Sequence, residues 1–204
     1  MLKTLPIALA ALLPAHALLW QAEDTVPYEC DGLTAYRERP LVVVLPETED
    51  QVAAVLQACH ALGVPVVARG AGTGLSGGAM PHALGVTLSL AKFNRILRID
   101  PRSRTAVVQA GVRNLAISEA AAPHGLYYAP DPSSQIACTI GGNVAENSGG
   151  VHCLKYGLTV HNVLQVRGFT VEGEPVSFGS TALDSPGIDL LPLIIGSEGM
   201  LAVT

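Results

Sequence analysis

The sequence is poor in charged and aromatic residues. Only 14% of its 204 residues are charged and 4% are aromatic, and no run rich in lysine or arginine occurs. With a formal net charge of −5, the chain lacks the basic surface that binding to a nucleic-acid backbone needs. A hydrophobic fraction of 49% argues against intrinsic disorder. The length allows one full domain or two small ones with a substantial core, and we expect no nucleic-acid partner.

Cysteine is scarce as well, and its positions do not resemble a metal site. Cys30, Cys59, Cys138 and Cys153 are spread along the chain without a Cys-x-x-Cys pair. This spacing indicates neither a zinc site nor an iron–sulfur cluster. We expect four reduced thiols, typical of a cytoplasmic protein, and no metal site.

A long uninterrupted hydrophobic run is also missing. Residues 5–19 are largely apolar, and Lys3 before them with Ala-His-Ala at 15–17 imitates a secretory signal peptide. Pro6 and Pro14 interrupt the run, which is too short and too broken to span a bilayer. The pattern favours a short helix packed on the domain, with a signal peptide as the alternative.

Glycine, in contrast, is abundant and clusters in residues 69–80, which read Arg-Gly-Ala-Gly-Thr-Gly-Leu-Ser-Gly-Gly-Ala-Met. The apolar run 64–68 predicts a strand that leads into this loop. Successive main-chain N–H groups of such a loop can converge on an anion, and the Thr73 and Ser76 hydroxyls and the Arg69 charge add further donors. The predicted ligand is a phosphate or pyrophosphate.

Other interpretations of this loop are weaker. Residues 72–77 match Gly-x-Gly-x-x-Gly, but a dinucleotide-binding fingerprint opens a helix. Here Pro81 and Gly85 follow, and then residues 86–90 indicate another strand. No Gly-Lys-Ser/Thr ending exists, so a P-loop is excluded. A flexible glycine loop without a ligand remains an alternative.

A second stretch of small residues, 139–150, carries Asn143, Glu146 and Asn147. It follows a turn predicted at 130–134. We interpret it as a buried glycine-rich loop whose amides suit a flat, hydrogen-bonding ligand, and a set of tight turns is the alternative. Two such loops in one chain strengthen the ligand interpretation.

The remaining pattern predicts an α+β fold. Thr48 with Gln51 indicates a capping box for a first helix that ends at Gly63. His60 and His124, at the ends of the first and second helices, are expected at the surface. Strands are predicted at 41–45, 64–68, 86–90, 96–99, 105–110, 162–171 and 174–178, with a hairpin turn at 172–173, and further helices at 114–123 and 187–195.

Five motifs in order make a family recognisable. Residues 69–78, 130–134, 140–147, 155–157 and 196–199 together resemble the FAD-linked oxidases of the vanillyl-alcohol oxidase and p-cresol methylhydroxylase fold. Two further segments, 27–33 and 150–162, resemble in particular the branch of this family that contains the flavin subunits of bacterial glycolate oxidases. The similarity runs from about residue 27 to the end of the sequence.

The resemblance implies a two-lobed FAD-binding domain over residues 40–204, preceded by an N-terminal helix and arm over 1–39. Some members attach flavin through a histidine of the first loop, and since this loop has none, non-covalent FAD is expected. The cofactor-binding residues implied are Arg69, Gly70, Ala71, Gly72, Thr73, Gly74, Leu75, Ser76, Pro130, Asp131, Ser133, Ser134, Gly142, Asn143, Ala145, Asn147, Tyr156, Gly157, Glu198, Gly199 and Val203.

The resemblance also implies an FAD-dependent oxidoreductase that converts glycolate, a small 2-hydroxy acid, to glyoxylate. Alternatives are a D-lactate or D-2-hydroxyglutarate dehydrogenase, or an inactive FAD-binding fragment. The family's substrate domain follows the position where this chain ends, so we expect the isolated chain to be inactive, and no catalytic base is assigned. His152 and His161 are expected to pack or orient neighbouring groups.

The implied partners are a second flavin subunit and an iron–sulfur subunit of a glycolate oxidase complex. A cytoplasmic location is implied, with membrane association through those subunits. Two departures from the family pattern stand out. Ala202 replaces a usual glycine and could crowd the cofactor, and Pro192 would remove a backbone donor inside the last predicted helix.

Overall fold

A computed structural model describes residues 4–182 and 187–204. Its helices are α1 (Leu5–Leu12), α2 (Ala22–Thr25), α3 (Glu49–Leu62), α4 (Asn114–Ala121), α5 (Ile140–Glu146), α6 (Cys153–Tyr156), α7 (Thr159–Asn162) and α8 (Leu191–Ile194), with 3₁₀ turns at Ala15–Ala17, Val26–Tyr28 and Ala122–His124. Its strands are β1 (Leu18–Leu19), β2 (Val42–Val44), β3 (Val66–Arg69), β4 (Val86–Ser89), β5 (Ile96–Asp100), β6 (Thr105–Val108), β7 (Gln165–Phe169) and β8 (Pro175–Gly179).

The main sheet has the strand order β1-β2-β4-β3. Strands β2, β4 and β3 are parallel, and β1 pairs antiparallel with β2. Parallel neighbours need a crossover connection, which α3 supplies between β2 and β3. Every residue of β2 and β4 is buried, as expected for parallel strands covered on both faces. The carboxyl end of β3 therefore delivers residue 69 and the glycine loop to a fixed edge of the sheet.

Helix α1 packs on α3, which confirms the short N-terminal helix expected for the apolar run. Leu5 and Leu9 are completely buried beside Val55 and Leu56 in the largest core cluster. Lys3 lies outside the described residues. In residues 4–182 and 187–204, no helix is long and apolar enough to cross a membrane.

Helix α3 begins at the predicted cap, with one difference in detail. The Thr48 hydroxyl accepts a hydrogen bond from the Gln51 backbone N–H (3.2 Å). The Gln51 side chain reaches back to the N–H of Glu47 (2.7 Å) instead of that of Thr48. Gly63, at φ 61°, ends the helix in the left-handed conformation that glycine favours.

Two antiparallel hairpins complete the fold, β5 with β6 and β7 with β8. The turn of the second hairpin contains Gly173 at φ 78°, as predicted. Helix α5 lies between the two smaller cores, since Ile140 packs with Val112 and Val144 packs with Val166. The arrangement confirms the α+β class.

Three sequence predictions are wrong in detail. The second glycine-rich segment is not a loop, because residues 140–146 form α5 behind an N-cap at Thr139. The strand predicted from residue 162 begins at 165, because α7 occupies the preceding residues. The last helix is shorter than predicted and places Pro192 in its first turn, where a backbone N–H has no acceptor within the helix, so no donor is lost.

The histidines and cysteines behave as expected where the structure describes them. His60 and His124 are exposed at helix ends. All four cysteines are free, and Cys59 and Cys138 are buried. Burial raises the pKa of the Cys59 thiol to about 11, so this thiol is protonated at neutral pH.

Candidate functional site

The candidate site is a cleft of about 280 Å³ between the glycine loop and α5. The loop after β3 forms one wall, α5 and the turn before it form the opposite wall, and the segment 197–204 closes one side. The lining residues are Ala68, Arg69, Gly70, Ala71, Gly72, Thr73, Gly74, Leu75, Ser76, Gly78, Ala79, Leu90, Ala110, Ser133, Ser134, Cys138, Thr139, Gly141, Gly142, Asn143, Val144, Ala145, Glu146, Ser148, Ile194, Ser197, Glu198, Gly199, Ala202, Val203 and Thr204.

The glycine loop is held in shape by the buried side chain of Arg69. Its Nη1 donates to the backbone oxygens of Cys30 (2.9 Å) and Ala79 (3.3 Å), so it ties the N-terminal arm to the far end of the loop. The guanidinium lies 5.5 Å from the centre of the Tyr28 ring. Burial lowers the pKa of Arg69, and Cys30, Tyr28 and Asp31 oppose that shift. Much of the hydrogen-bonding capacity of Arg69 is therefore used inside the protein.

At several loop glycines, a Cβ would meet a polar side chain that lies against the loop. A Cβ on Gly70 would overlap with Oγ1 of Thr139, and a Cβ on Gly74 would overlap with Oε1 of Glu146. Position 72 favours glycine for two reasons, since its φ is 69° and a Cβ there would meet the Arg69 guanidinium. The loop backbone can thus approach the opposite wall, and a ligand between them, more closely than any other residue type would allow.

The opposite wall is built around the capped helix α5. The Thr139 hydroxyl accepts from the Gly142 N–H (3.4 Å) at the start of the helix. After the helix, the N–H groups of Gly196 and Glu198 donate to the carbonyls of Val144 and Ala145, each at 2.8 Å. The last segment of the chain is therefore pinned to α5 and forms part of the same wall.

One buried polar atom on this wall has no partner. Asn143 is 1% exposed, and its Nδ2 finds no hydrogen-bond acceptor in the described part of the chain. The neighbouring Cys138 thiol has its pKa raised by burial, and Ser134 and Asn143 oppose the shift in part. Because an unpaired buried amide is costly, the Asn143 Nδ2 is a candidate donor to a ligand in the cleft.

Carboxylates outnumber cations along the cleft. Of the side chains that line it, Arg69 is the cation, whereas Glu146 and Glu198 are acidic. Burial raises the pKa of Glu146, and the nearby Glu198 and Asp31 raise it further. An anionic ligand must therefore be held by backbone N–H groups and hydroxyls more than by side-chain charge.

The structure brings most of the predicted site residues to this cleft. Those that line it are Arg69, Gly70, Ala71, Gly72, Thr73, Gly74, Leu75, Ser76, Ser133, Ser134, Gly142, Asn143, Ala145, Glu198, Gly199 and Val203. Those that do not line it are Pro130, Asp131, Asn147, Tyr156 and Gly157.

Three of the five residues outside the cleft contact residues that do not line it either. The Pro130 carbonyl accepts from the buried Asn114 side chain (3.0 Å), and the Asn147 side chain accepts from the Val160 N–H (3.0 Å). Asp131 binds Nδ1 of His152 (2.6 Å), and this contact lowers the pKa of the Asp131 carboxyl. Nδ1 of His161 accepts from the Leu158 N–H (3.0 Å). Both histidines thus orient neighbouring groups, as expected.

Sequence reasoning leaves several lining residues out of the predicted site. Thr139, Gly141, Glu146 and Ser197 line the cleft. Thr139 precedes a segment with two buried apolar positions, which is a sequence signal for the start of a helix. The small residues of the same segment obscure this signal. Ser197 belongs to the motif at 196–199 that predicts Glu198 and Gly199 as site residues, so this motif was the signal that could have found it.

The comparison with protein families decides the assignment. The model described as the FAD binding domain matches residues 40–179, more than half of the chain. The chain belongs to this FAD-binding domain family. FAD is the cofactor that this membership supports, in agreement with the prediction from the motifs.

Curated relatives share most of this sequence. Glycolate oxidase subunit GlcD of Escherichia coli (strain K12) is 65% identical over 198 residues, which cover 97% of this chain and 40% of the relative. The D-lactate dehydrogenase of Archaeoglobus fulgidus is 42% identical over 163 residues, covering 79% of this chain and 36% of the relative. The FAD-binding chain thus spans about two fifths of the curated relatives it matches.

Solved structures agree on the fold. An alkyldihydroxyacetonephosphate synthase superposes with a TM-score of 0.84 at 23% identity, covering 98% of this chain and 38% of the other. A Phl p 4 variant, a glucose dehydrogenase, superposes with a TM-score of 0.80 at 18% identity, covering 98% and 42%. This FAD-binding domain therefore has the fold of the p-cresol methylhydroxylase type, as the motifs implied.

The cleft fits FAD on three observations from the structure. Its glycine loop leaves space where Cβ atoms would otherwise collide, Asn143 offers a buried amide without a partner, and the Thr73 and Ser76 hydroxyls lie along the loop. This set of neutral donors suits a pyrophosphate and a polar ring system.

Proposed function

We propose that this chain is the FAD-binding part of the flavin subunit of a glycolate oxidase, which oxidises glycolate to glyoxylate when the enzyme is complete. The observation that carries the proposal is the 65% identity to glycolate oxidase subunit GlcD along 97% of this chain. When bound, FAD supplies the acceptor for the hydride that leaves C2 of the 2-hydroxy acid.

In this proposal, different residues of the cleft bind different parts of the cofactor. The backbone of 70–76 with the Thr73 and Ser76 hydroxyls holds the pyrophosphate, and the Asn143 amide donates to a polar atom of the flavin half. Ser133, Ser134, Gly142, Ala145, Glu198, Gly199 and Val203 complete the walls that exclude water. Pro130, Asp131, Asn147, Tyr156 and Gly157 do not line the cleft, and their contact with the cofactor stays a prediction. FAD is bound non-covalently, since the loop has no histidine to attach it.

A second candidate is a D-lactate or D-2-hydroxyglutarate dehydrogenase. The D-lactate relative is 42% identical, and a D-2-hydroxyglutarate dehydrogenase of Xanthomonas citri pv. viticola is 35% identical over 97% of this chain and 42% of the relative. Both align with this chain, but at lower identity than the glycolate oxidase relative. A third candidate is an FAD-binding fragment without turnover, which fits the partial coverage of the relatives.

The proposal extends to domain limits and partners. Residues 1–39 form a helix and arm, and residues 40–204 form the FAD-binding domain. The word subunit in the relatives' name supports a multi-subunit enzyme, and we propose a second flavin subunit and an iron–sulfur subunit as partners. The site of action that the resemblance suggests is the cytoplasm, with membrane contact through those subunits.

The first test is the visible absorption spectrum of the purified chain before and after denaturation. We expect a flavin spectrum, and denaturation should release a compound with the mass of FAD into solution. A folded chain that takes up no flavin, even after incubation with FAD, would contradict the proposal. Flavin that stays with the precipitated protein would contradict non-covalent binding.

The substrate is tested in a chimera in which this chain replaces the matching part of the E. coli relative. We expect the FAD-loaded chimera to be reduced by glycolate faster than by D-lactate or D-2-hydroxyglutarate. A folded, FAD-loaded chimera that responds to one of the other acids and not to glycolate would move the assignment to the second candidate.

A further inference from the structure

The carboxylate of Glu146 has an unusual position for a site that binds a diphosphate. Glu146 is the last residue of α5, and its Oε1 lies against Gly74 at the tip of the glycine loop. The loop tip is held from the other side by the arm, since a Cβ on Gly32 would stand 2.7 Å from the Gly74 carbonyl oxygen. The carboxylate therefore lies next to the segment proposed to hold the pyrophosphate.

This carboxylate also lacks an internal partner. No described residue donates a hydrogen bond to Glu146, which is exposed to solvent and whose side chain lines the cleft. Its charged neighbours are Glu198 and Asp31, both acidic. A carboxylate accepts hydrogen bonds and repels phosphate, so the ligand group that binds it favourably in the cleft is a neutral donor that takes the place of water.

FAD carries such donors on both sides of its pyrophosphate. The ribityl 4′-hydroxyl lies one carbon from one phosphate ester, and the ribose hydroxyls lie close to the other. We propose that Glu146 is a specificity residue of the cofactor site, whose carboxylate accepts a hydrogen bond from the ribityl 4′-hydroxyl or from a ribose hydroxyl. The inference rests on the proposed FAD-binding function and adds a role that the resemblance did not assign.

The position explains why the role falls to Glu146 and not to Glu198. The Glu198 carboxylate lies against Gly78, at the end of the loop, whereas the Glu146 carboxylate lies against its tip. Glu198 also has φ 54°, and its N–H is bonded to Ala145, so its backbone serves to pin the last segment of the chain. Glu146 is the last residue of α5, which is anchored by buried Asn143 and Val144, so its backbone has a fixed position.

The test is a double-mutant cycle between the side chain and the hydroxyl. The affinity for FAD, for FAD lacking the ribityl 4′-hydroxyl and for FAD lacking both ribose hydroxyls is measured by flavin fluorescence, with the native chain and with Glu146→Ala. Removing one of these groups should weaken binding to the native chain about tenfold or more, because hydrogen bonds to charged groups are strong. The same removal should leave the affinity of Glu146→Ala unchanged.

The outcomes of this cycle distinguish failure of the inference from failure of the proposed function. If both hydroxyl deletions weaken binding to the native chain and to Glu146→Ala by equal factors, the inference is overturned while FAD binding stands. If the native chain binds no FAD, the proposed function itself fails. If the coupling disappears on adding a chelator, a bound cation and not a direct hydrogen bond links the groups, which also overturns the inference.

Matched variants guard against indirect effects. Glu119→Ala removes an equally charged, exposed side chain that does not line the cleft, and it should leave all three affinities unchanged. Should Glu146→Ala fold poorly by circular dichroism, Glu146→Gln provides the same cycle with a side chain of equal size. We expect Glu146→Gln to retain a smaller preference for the complete cofactor, since its amide oxygen is a weaker acceptor.

Discussion

The two glycine-rich segments of this chain have similar compositions and opposite structures. Residues 69–80 form a loop without helix or strand beyond its first residue, whereas 139–150 contain a helix capped at both ends by Thr139 and Asn147. The difference lies in what each segment buries. The second places Ile140 and Val144 into two cores, but the first carries no apolar anchor, and its Leu75 is 69% exposed. Glycine content thus marks close approach, and apolar spacing decides the backbone structure.

The loop depends on one long side chain, so removing that side chain should have the largest effect. Arg69→Met leaves the Cys30 and Ala79 carbonyls without their donor. We expect a loss of about 3 kcal/mol in the free energy of unfolding, measured with urea, together with weaker FAD binding. Arg98→Met, at an exposed position, should change stability by less than about 0.5 kcal/mol. Equal losses in both variants would show that the loop does not need its buried arginine.

The contact between the two segments gives the second prediction. Gly70→Ala puts a Cβ onto Oγ1 of Thr139, and we expect it to cost about 2 kcal/mol of stability. Thr139→Ala removes that oxygen and leaves the Thr139 Cβ position 3.7 Å away. The double variant should therefore be more stable than the sum of the single losses predicts. Strict additivity in urea unfolding would argue that the two walls do not touch.

The helix of the second segment depends on its cap. Thr139→Ala should lower stability by about 1 kcal/mol, close to the loss for Thr48→Ala at the start of α3. Only Thr139 lines the cleft, so only Thr139→Ala should also weaken FAD binding in a fluorescence titration. Equal FAD affinities of the two variants would show that the Thr139 cap does not contribute to FAD binding.

The smallest expected effect concerns pH. The pKa of Glu146 is raised by burial and then by Glu198 and Asp31, so the folded chain binds this proton more tightly than the unfolded chain. Stability should therefore fall as pH rises through the raised pKa. Glu146→Gln should raise Tm slightly at pH 7, and the gain should vanish in acid, where the native carboxyl is protonated. A gain of equal size at both pH values would exclude titration of Glu146 as its cause.

Much of the fold follows from local sequence signals. The strand leading into the loop, the cap at Thr48 and the hairpin turn at Gly173 are each specified by a few neighbouring residues. Helix α5 escapes prediction because two of its seven residues are glycine, which lowers intrinsic helix propensity. Packing of Ile140 and Val144 in separate cores outweighs that propensity, and packing of this kind is not encoded in any short window.

The candidate site was likewise predictable from the sequence only in part. Residues 70–76 are predicted from a contiguous motif, and the structure places them together along one wall of the cleft. The sequence suggests that Arg69 offers its charge to an anion, but its Nη1 is bonded to carbonyls of the arm and the loop. Asn147 and Tyr156 are predicted to line the site, but they are not among the residues that line the cleft. Their direct contact with the cofactor stays a prediction.

The β-bridge between Phe169 and Val203 means that the cleft is completed late in the synthesis of the chain. The loop after β3 leaves the ribosome long before residues 197–204, which close the same cleft. A nascent chain therefore exposes an incomplete cleft while more than a hundred further residues are still to be made. We therefore expect mutations that slow the pairing of residues 197–204 with β7 to reduce the yield of flavin-loaded protein in cells before they alter its final affinity.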